Sequence, residues 1–427
     1  MFPDPHDALP LPQRPNLEHY KKRAKDLLKA SHSSDPAAIR AWAAKWIDSL
    51  IRLSDLIITP QLPVRIDHWI DQVENFARQQ LSESCTLSAA QFVIARAQGF
   101  ESWPHLANHL AATARRNSLV NNFELATDAI VTGEIAILEK LLRENPDLIR
   151  THSTRRHHAT LLHYVSANGL EGYRQRTPDN IGQIAELFLQ SGADANASAH
   201  VYGGSTTLEL VATSLHPERA GVQAGLLQLL LDYKAQLTSG IVNACLANGR
   251  IQAAEFLASR GAKLDLEAAA GLGRLDVVES FFDARGLLKP SATNAQMERG
   301  FLWACEYGRN AVIEFLLPRG VSLETQAGTG QTALHWAVIG AQADTITLLL
   351  DRGASLEARN AHGATPLGQA LWSAVHDDRI NYVPIVERLL NSGAQIEEGV
   401  LTWLIQQKFS TATKQRLIEV LKHHGAK

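Results

Sequence analysis

A chain of 427 residues is long enough for two or three ordinary domains, or for one extended repeat array with an accessory region. Charged residues at 20% and hydrophobic residues at 45% exclude a disordered chain, and a formal net charge of -3 excludes a global drive toward nucleic acid or an anionic membrane. No apolar run approaches the roughly 20 residues needed to span a bilayer. Cys85, Cys245 and Cys305 lie far apart, with no CxxC and no even-numbered disulfide framework, so each reads as a small buried hydrophobe in a reducing cytoplasm.

Residues 1–16 carry Pro3, Pro5, Pro10, Pro12 and Pro15, which predicts an extended arm without the basic-then-apolar order of a signal peptide. Asn16 predicts a cap for a helix over 17–30, with Leu17, Tyr20, Ala24, Leu27 and Leu28 on one stripe. Lys21, Lys22, Arg23, Lys25 and Lys29 surround that stripe. Glu18 and Asp26 are interleaved among them, so a solvated face is favoured over a nucleic-acid surface. A second helix is predicted over about 35–56, ended by Thr59-Pro60 and Pro63, and a third pattern spans 64–81. Thr86 to Leu110 reads as helix, glycine turn and helix, with Pro104 at an early helical position. Residues 17–116 thus form a helical N-terminal domain. Its His105 and His109 stand at i, i+4 and could share a metal, but no third ligand is adjacent.

From about residue 117 a period appears. Thr160-Leu-Leu-His163-Tyr164 matches Thr332-Ala-Leu-His335-Trp336, and Gly192, Gly261, Gly320, Gly353 and Gly393 mark successive unit ends. Each such glycine follows an apolar helix, where the left-handed C′ conformation costs glycine nothing. The step from Gly320 to Gly353 is 353 − 320 = 33 residues, and that from Gly353 to Gly393 is 393 − 353 = 40. The longer step predicts an insertion near 372–382, and further insertions are read at 170–178 and 216–222. Two short helices cannot bury their apolar faces alone, so each unit needs its neighbours.

Thr332-Ala-Leu-His335-Trp-Ala, Leu348 to Ala354, Ala361-His-Gly-Ala-Thr-Pro-Leu367 and Leu187 to Asn196 make this array resemble the ankyrin-repeat family. The resemblance implies an all-α fold: an ankyrin-repeat solenoid of about eight helix-turn-helix units over 117–399, some with short β-hairpin loops. A helical cap over 400–427 closes it. Glu209 and Asn243 depart from the pattern where a histidine is expected, and 266–286 lacks a recognisable hairpin. The resemblance also implies that His163 and His335 bind neighbouring hairpin backbone. The stretch LSAAQFVIARAQGFESWPHL is similar to a helical module that precedes ankyrin repeats in some bacterial proteins.

No P-loop, GxGxxG after a strand, HExxH or GxSxG is present, so no catalytic residue, cofactor or metal site is read. His152, His157, His158 and His163 lie beside Arg155 and Arg156, which reads as a solvated hairpin tip able to meet an anion. Aligning the units places Tyr164, Leu210, Ala244, Ala268, Trp303, Trp336 and Gln369 at one position of the first helix, which the resemblance puts on the concave side. Trp303 and Trp336 are either inter-repeat core or contact surface. Tyr307, Arg309 and Trp372 near the helix ends are expected to be exposed. With His362 at a hairpin tip, these residues are the candidate partner-binding set, because Trp, Tyr and Arg dominate binding hot spots. The expected function is a non-enzymatic protein–protein interaction scaffold, with a cytoplasmic location, another protein as partner and no membrane. The alternative is a metal-dependent or nucleic-acid-binding activity in the N-terminal helices, with the repeats as targeting module.

Overall fold

The computed structural model describes residues 4–12, 15–53, 62–377 and 379–426. The chain is all-α, 62% helical with 1% strand, and divides into two compact units, 1–236 and 237–427.

In the first unit, α1 (Leu17–Ser31), α2 (Ala38–Leu53), α3 (Leu62–Glu83), α4 (Leu87–Ala97) and α5 (Trp103–Thr113) share one core. Asn16 caps α1 by accepting from the Glu18 amide, as its position predicts. Trp42, Trp46, Trp69, Leu27 and Phe100 are buried at the centre. The predicted break at Thr59-Pro60 and the start of the arm at 1–3 lie outside the described residues. Within the arm, Pro5–Asp7 form a 3-10 turn, and Leu9 is buried with its amide donating to Ala97 O at 2.8 Å.

The same unit continues with α6 (Leu119–Thr132), α7 (Ile135–Glu144), a 3-10 helix over Leu161–Ser166, α8 (Ile181–Gln190), α9 (Thr207–Thr213), α10 (Leu215–Arg219) and α11 (Gln223–Asp232). Its one described two-stranded ribbon pairs Ser198 with Thr206 and Ala199 with Ser205. The predicted insertions are real elements: 170–178 holds the 3-10 turn Gly172–Arg174, and 216–222 holds most of α10. Glu209, in the histidine slot, completes a capping box by accepting from the Thr206 amide at 2.9 Å.

In the second unit, helices pair successively: α12 (Ile241–Ala247) with α13 (Ile251–Ser259), α14 (Leu266–Leu272) with α15 (Leu275–Ser280), and α16 (Asn294–Glu306) with α17 (Asn310–Leu316). Then come α18 (Ala333–Ile339) with α19 (Ala343–Asp351), α20 (Pro366–His376) with α21 (Val383–Asn391), and α22 (Val400–Gln406) with α23 (Thr411–His423). One continuous core, from Leu266 through Phe301, Leu334 and Leu389 to Leu421, joins the pairs from α14 onward. Gly320, Gly353 and Gly393 take φ of +97°, +88° and +97°, the left-handed geometry that ends each outer helix.

Two residues carry the joins between hairpins. His335 Nδ1 faces the Thr332 hydroxyl at 2.9 Å, and its Nε2 lies 3.0 Å from Ala364 O, the carbonyl of the next unit. His163 repeats this with Thr160 at 2.8 Å and Ala197 O at 3.0 Å. Both imidazoles are fully buried, so their polar atoms need these partners. The resemblance implied this role for both. In the other departing unit, Asn243 Nδ2 donates instead to Asp265 at 2.7 Å.

Candidate functional site

Two polar centres stand out, one in each unit. The first corrects the reading of 152–163 as a solvated tip. Arg155 and His157 are buried, at 0% and 2% exposure, around the equally buried Glu171. Arg155 Nε lies 2.9 Å from Glu171 Oε1, His157 Nε2 lies 3.1 Å from it, and the Tyr164 hydroxyl donates to it at 3.2 Å. Glu124 on α6 joins through Arg174 at 2.8 Å and Arg155 at 3.5 Å. Burial alone would raise both carboxyls. Arg174 and Arg155 outweigh it at Glu124 and hold it at about 2, while His157 and Arg155 hold Glu171 well below the carboxylate range. The partners come from segments distant in sequence, which local charge pattern cannot reveal.

This centre also separates the candidate metal pair. His109 is buried and bonded through Nδ1 to the Thr154 hydroxyl at 2.7 Å, with burial lowering it to about 4. His105 is exposed and bonded to Ser102 at 2.8 Å. Among the described residues no group of three His, Cys, Asp or Glu side chains is arranged to hold a metal. Cys245 and Cys305 are buried, whereas Cys85 is exposed beside His32 at 3.3 Å, against the expectation of a buried hydrophobe. It lies in the turn between α3 and α4, beside the C-terminal end of α1.

The second centre is the first-helix face of α14, α16, α18 and α20. Helix α16 starts at a capping box between Thr293 and Gln296. It lies close on α14 because Gly300 has no side chain: a β-carbon there would stand 3.0 Å from Ala270 Cβ. Phe301, Leu302, Ala304 and Cys305 turn into the core, which leaves Trp303, Glu306 and Tyr307 partly exposed on one face. Gly271 on α14 makes room for them; a β-carbon there would meet Leu246 at 2.7 Å and Trp303 Cβ at 3.3 Å.

Two of the candidate residues, expected to be exposed, are instead half-buried and tied into the fold. The Tyr307 hydroxyl donates to Leu246 O at 2.5 Å. Arg309 donates from Nε to Gly271 O at 3.1 Å and from Nη2 to Glu255 at 3.2 Å. Polar atoms at the ends of these short helices lack intrahelical partners, and the long side chains from the next units supply them.

Trp303 and Trp336 each keep part of their surface exposed. Trp336 packs against the edge of the core, and its indole Nε1 is covered without a hydrogen-bond acceptor among the described residues. Trp372 on α20 is 52% exposed, its ring stacked on His376 with centroids 4.1 Å apart and planes 17° apart. His362 is exposed in the hairpin, its amide held by Asn360 at 2.9 Å.

Sequence reasoning passed over Glu306 and Tyr382. Glu306 follows Trp303 by three positions, which puts both on one helix face, and that spacing was the available signal. Its carboxylate has no hydrogen bond or ion pair among the described residues, and burial alone raises it to about 7. Tyr382, before α21, donates to Ile339 O at 2.8 Å and lies within the electrostatic reach of Glu306. The arrangement offers aromatic surface and one carboxyl uncompensated among the described residues.

Among the described residues no helix is long and apolar enough to cross a membrane. A search of curated proteins finds no match for this chain. A family model of ankyrin repeats, in three copies, matches residues 301–399, the segment that contains Trp303, Glu306, Trp336 and Trp372. Residues 301–399 are thus similar to ankyrin repeats.

Proposed function

We propose that the chain is a non-enzymatic scaffold that binds another protein through the concave first-helix face and hairpin loops of its second unit. Ankyrin repeats are in general protein–protein interaction modules. The observation that carries the reading is Trp372, a large aromatic left 52% exposed on a repeat's first helix and held in one orientation by its stack on His376. Trp303, Trp336 and His362 extend the surface, while Tyr307 and Arg309 hold its floor in place. Affinity capture from the native cell with the full chain tests it. The double variant W372A/H362A is expected to lose the proteins retained by the wild type while keeping its melting temperature. Identical retention by both would sink the assignment of this face.

A second reading places nucleic-acid binding in the N-terminal helices. It draws on a groove of about 1080 Å³ between α1 and α2, lined by Lys22, Arg23 and Lys45 over Trp42 and Trp46. A mobility-shift assay with single- and double-stranded probes at low salt tests it, and a salt-suppressible shift is the outcome it requires.

A further inference from the structure

The interaction reading leaves the chemistry of the partner open, and Glu306 narrows it. Glu306 is flanked along the chain by half-buried aromatic residues. Trp303 precedes it by three positions on α16 and Tyr307 follows it directly. The last turn of α18 is laid against its backbone: a β-carbon on Gly340 would stand 3.2 Å from Glu306 Cα. Trp336 lies one helical turn before Gly340, so its ring belongs to the same side of α18.

The guanidinium groups nearby do not neutralise this carboxylate. Arg309 is spent on Gly271 O and Glu255, and Arg250 donates from Nε to Asn248 O. Neither makes an ion pair with Glu306, and the hydroxyls of Tyr307 and Tyr382 are spent on Leu246 O and Ile339 O. A half-buried acid kept without a partner, on the helix face it shares with Trp303, is complementary to a cation, because indole and phenol rings carry negative potential on their faces. An anion would meet the carboxylate, and an uncharged apolar residue would leave it buried and unpaired.

We propose that the face formed by Trp303, Glu306, Tyr307 and Trp336 receives the ammonium group of a lysine side chain, alkylated or not, presented by the partner protein. The inference rests on the interaction reading above and adds the chemistry of its anchor. The lysine stem packs along the indoles while its head meets the carboxylate, which then holds its charge. Apparent affinity rises with pH as Glu306 ionises, since the neutral acid gives up most of the attraction.

The test follows the indole N–H resonances of the full-length protein during titration with three probes: Nα-acetyl-lysine methylamide, its trimethylated form, and the uncharged norleucine analogue. Saturable shifts at Trp303 and Trp336 are expected with one or both cations and not with norleucine, and which cation binds tighter reports the alkylation preference. E306Q, which keeps shape and removes charge, is expected to weaken cation binding at least about tenfold. Equal shifts with norleucine, no saturable shift up to about 50 mM of any probe, or an unchanged response in E306Q would each overturn the proposal. If E306Q leaves cellular capture unchanged while W372A/H362A abolishes it, the scaffold reading stands and the lysine anchor falls.

Discussion

A β-carbon built on Gly340 would overlap the carbonyl oxygen of Glu306, so the C-terminal turn of α18 rests directly on the backbone of the C-terminal turn of α16. The two first helices therefore make a close backbone approach where the candidate site lies, and the position of Trp336 relative to Glu306 depends on one absent side chain.

Gly340→Ala should cost about 1–3 kcal/mol by overpacking, since the obstacle is backbone and cannot swing away. Gly353→Ala should cost about 1–2 kcal/mol for a different reason. Its φ is +88° and nothing lies within 4 Å of a β-carbon there, so the loss is pure backbone strain. Urea unfolding of both variants separates the two. A Gly340→Ala protein as stable as wild type would show that the helix contact is looser than described.

Glu306 makes a prediction with a defined sign. Its folded-state carboxyl titrates near 7 against an ordinary 4.5, so the folded protein holds a proton that the unfolded chain has released. The group's contribution to stability is full below the ordinary value and lost as pH rises through about 7. E306Q should accordingly be more stable than wild type by about 1–3 kcal/mol at about pH 8. The gap should close when the same denaturation is run near pH 4.5, and a gap independent of pH would contradict the assignment.

His109 and His163 act in the opposite direction. Burial depresses both imidazoles to about 4 from 6.5, so each is neutral in the folded state while the unfolded chain binds protons. Stability should fall as pH drops from about 6.5 toward 4, by up to about 1.4 kcal/mol per pH unit for each group. Calorimetry of H163Q should show a shallower slope in this window. An unchanged slope would remove His163 from the acid response.

The buried network in the first unit is expected to be costly to break. Arg155→Met leaves Glu171 buried with one cation fewer, at a cost of about 3–5 kcal/mol. Pairing that substitution with Glu171→Gln removes the stranded charge and should recover part of the loss. A double variant no more stable than Arg155→Met alone would show that the carboxylate is not the source of the cost.

Much of this was readable from residues alone. The Thr-x-x-His pairs at Thr160–His163 and Thr332–His335 and the glycines ending α19 and α21 are local signals, although the second nitrogen of each histidine is satisfied by a carbonyl of the next unit. The cap at Asn16 belongs with them. The departures were readable as departures, but not their repairs: Glu209 turns back to its own cap, while Asn243 reaches forward to Asp265. Tyr307 and Arg309 were expected at the surface by residue type. The acceptors that hold them, Leu246 O and Gly271 O, lie in earlier units that no local pattern connects to them.

The sequence by itself determined the repeat architecture, because each unit's caps, apolar stripes and stop glycine act over one or two helical turns. Tertiary structure alone decided which charges matter. Arg155 looked like a solvated tip residue and is the buried centre of a five-residue network with Glu124, Glu171, His157 and Arg174. Glu306, passed over in the sequence, is half-buried without a partner among the described residues. Desolvation and pairing are set by what the fold brings alongside a charge, and those neighbours are contributed by segments far away along the chain.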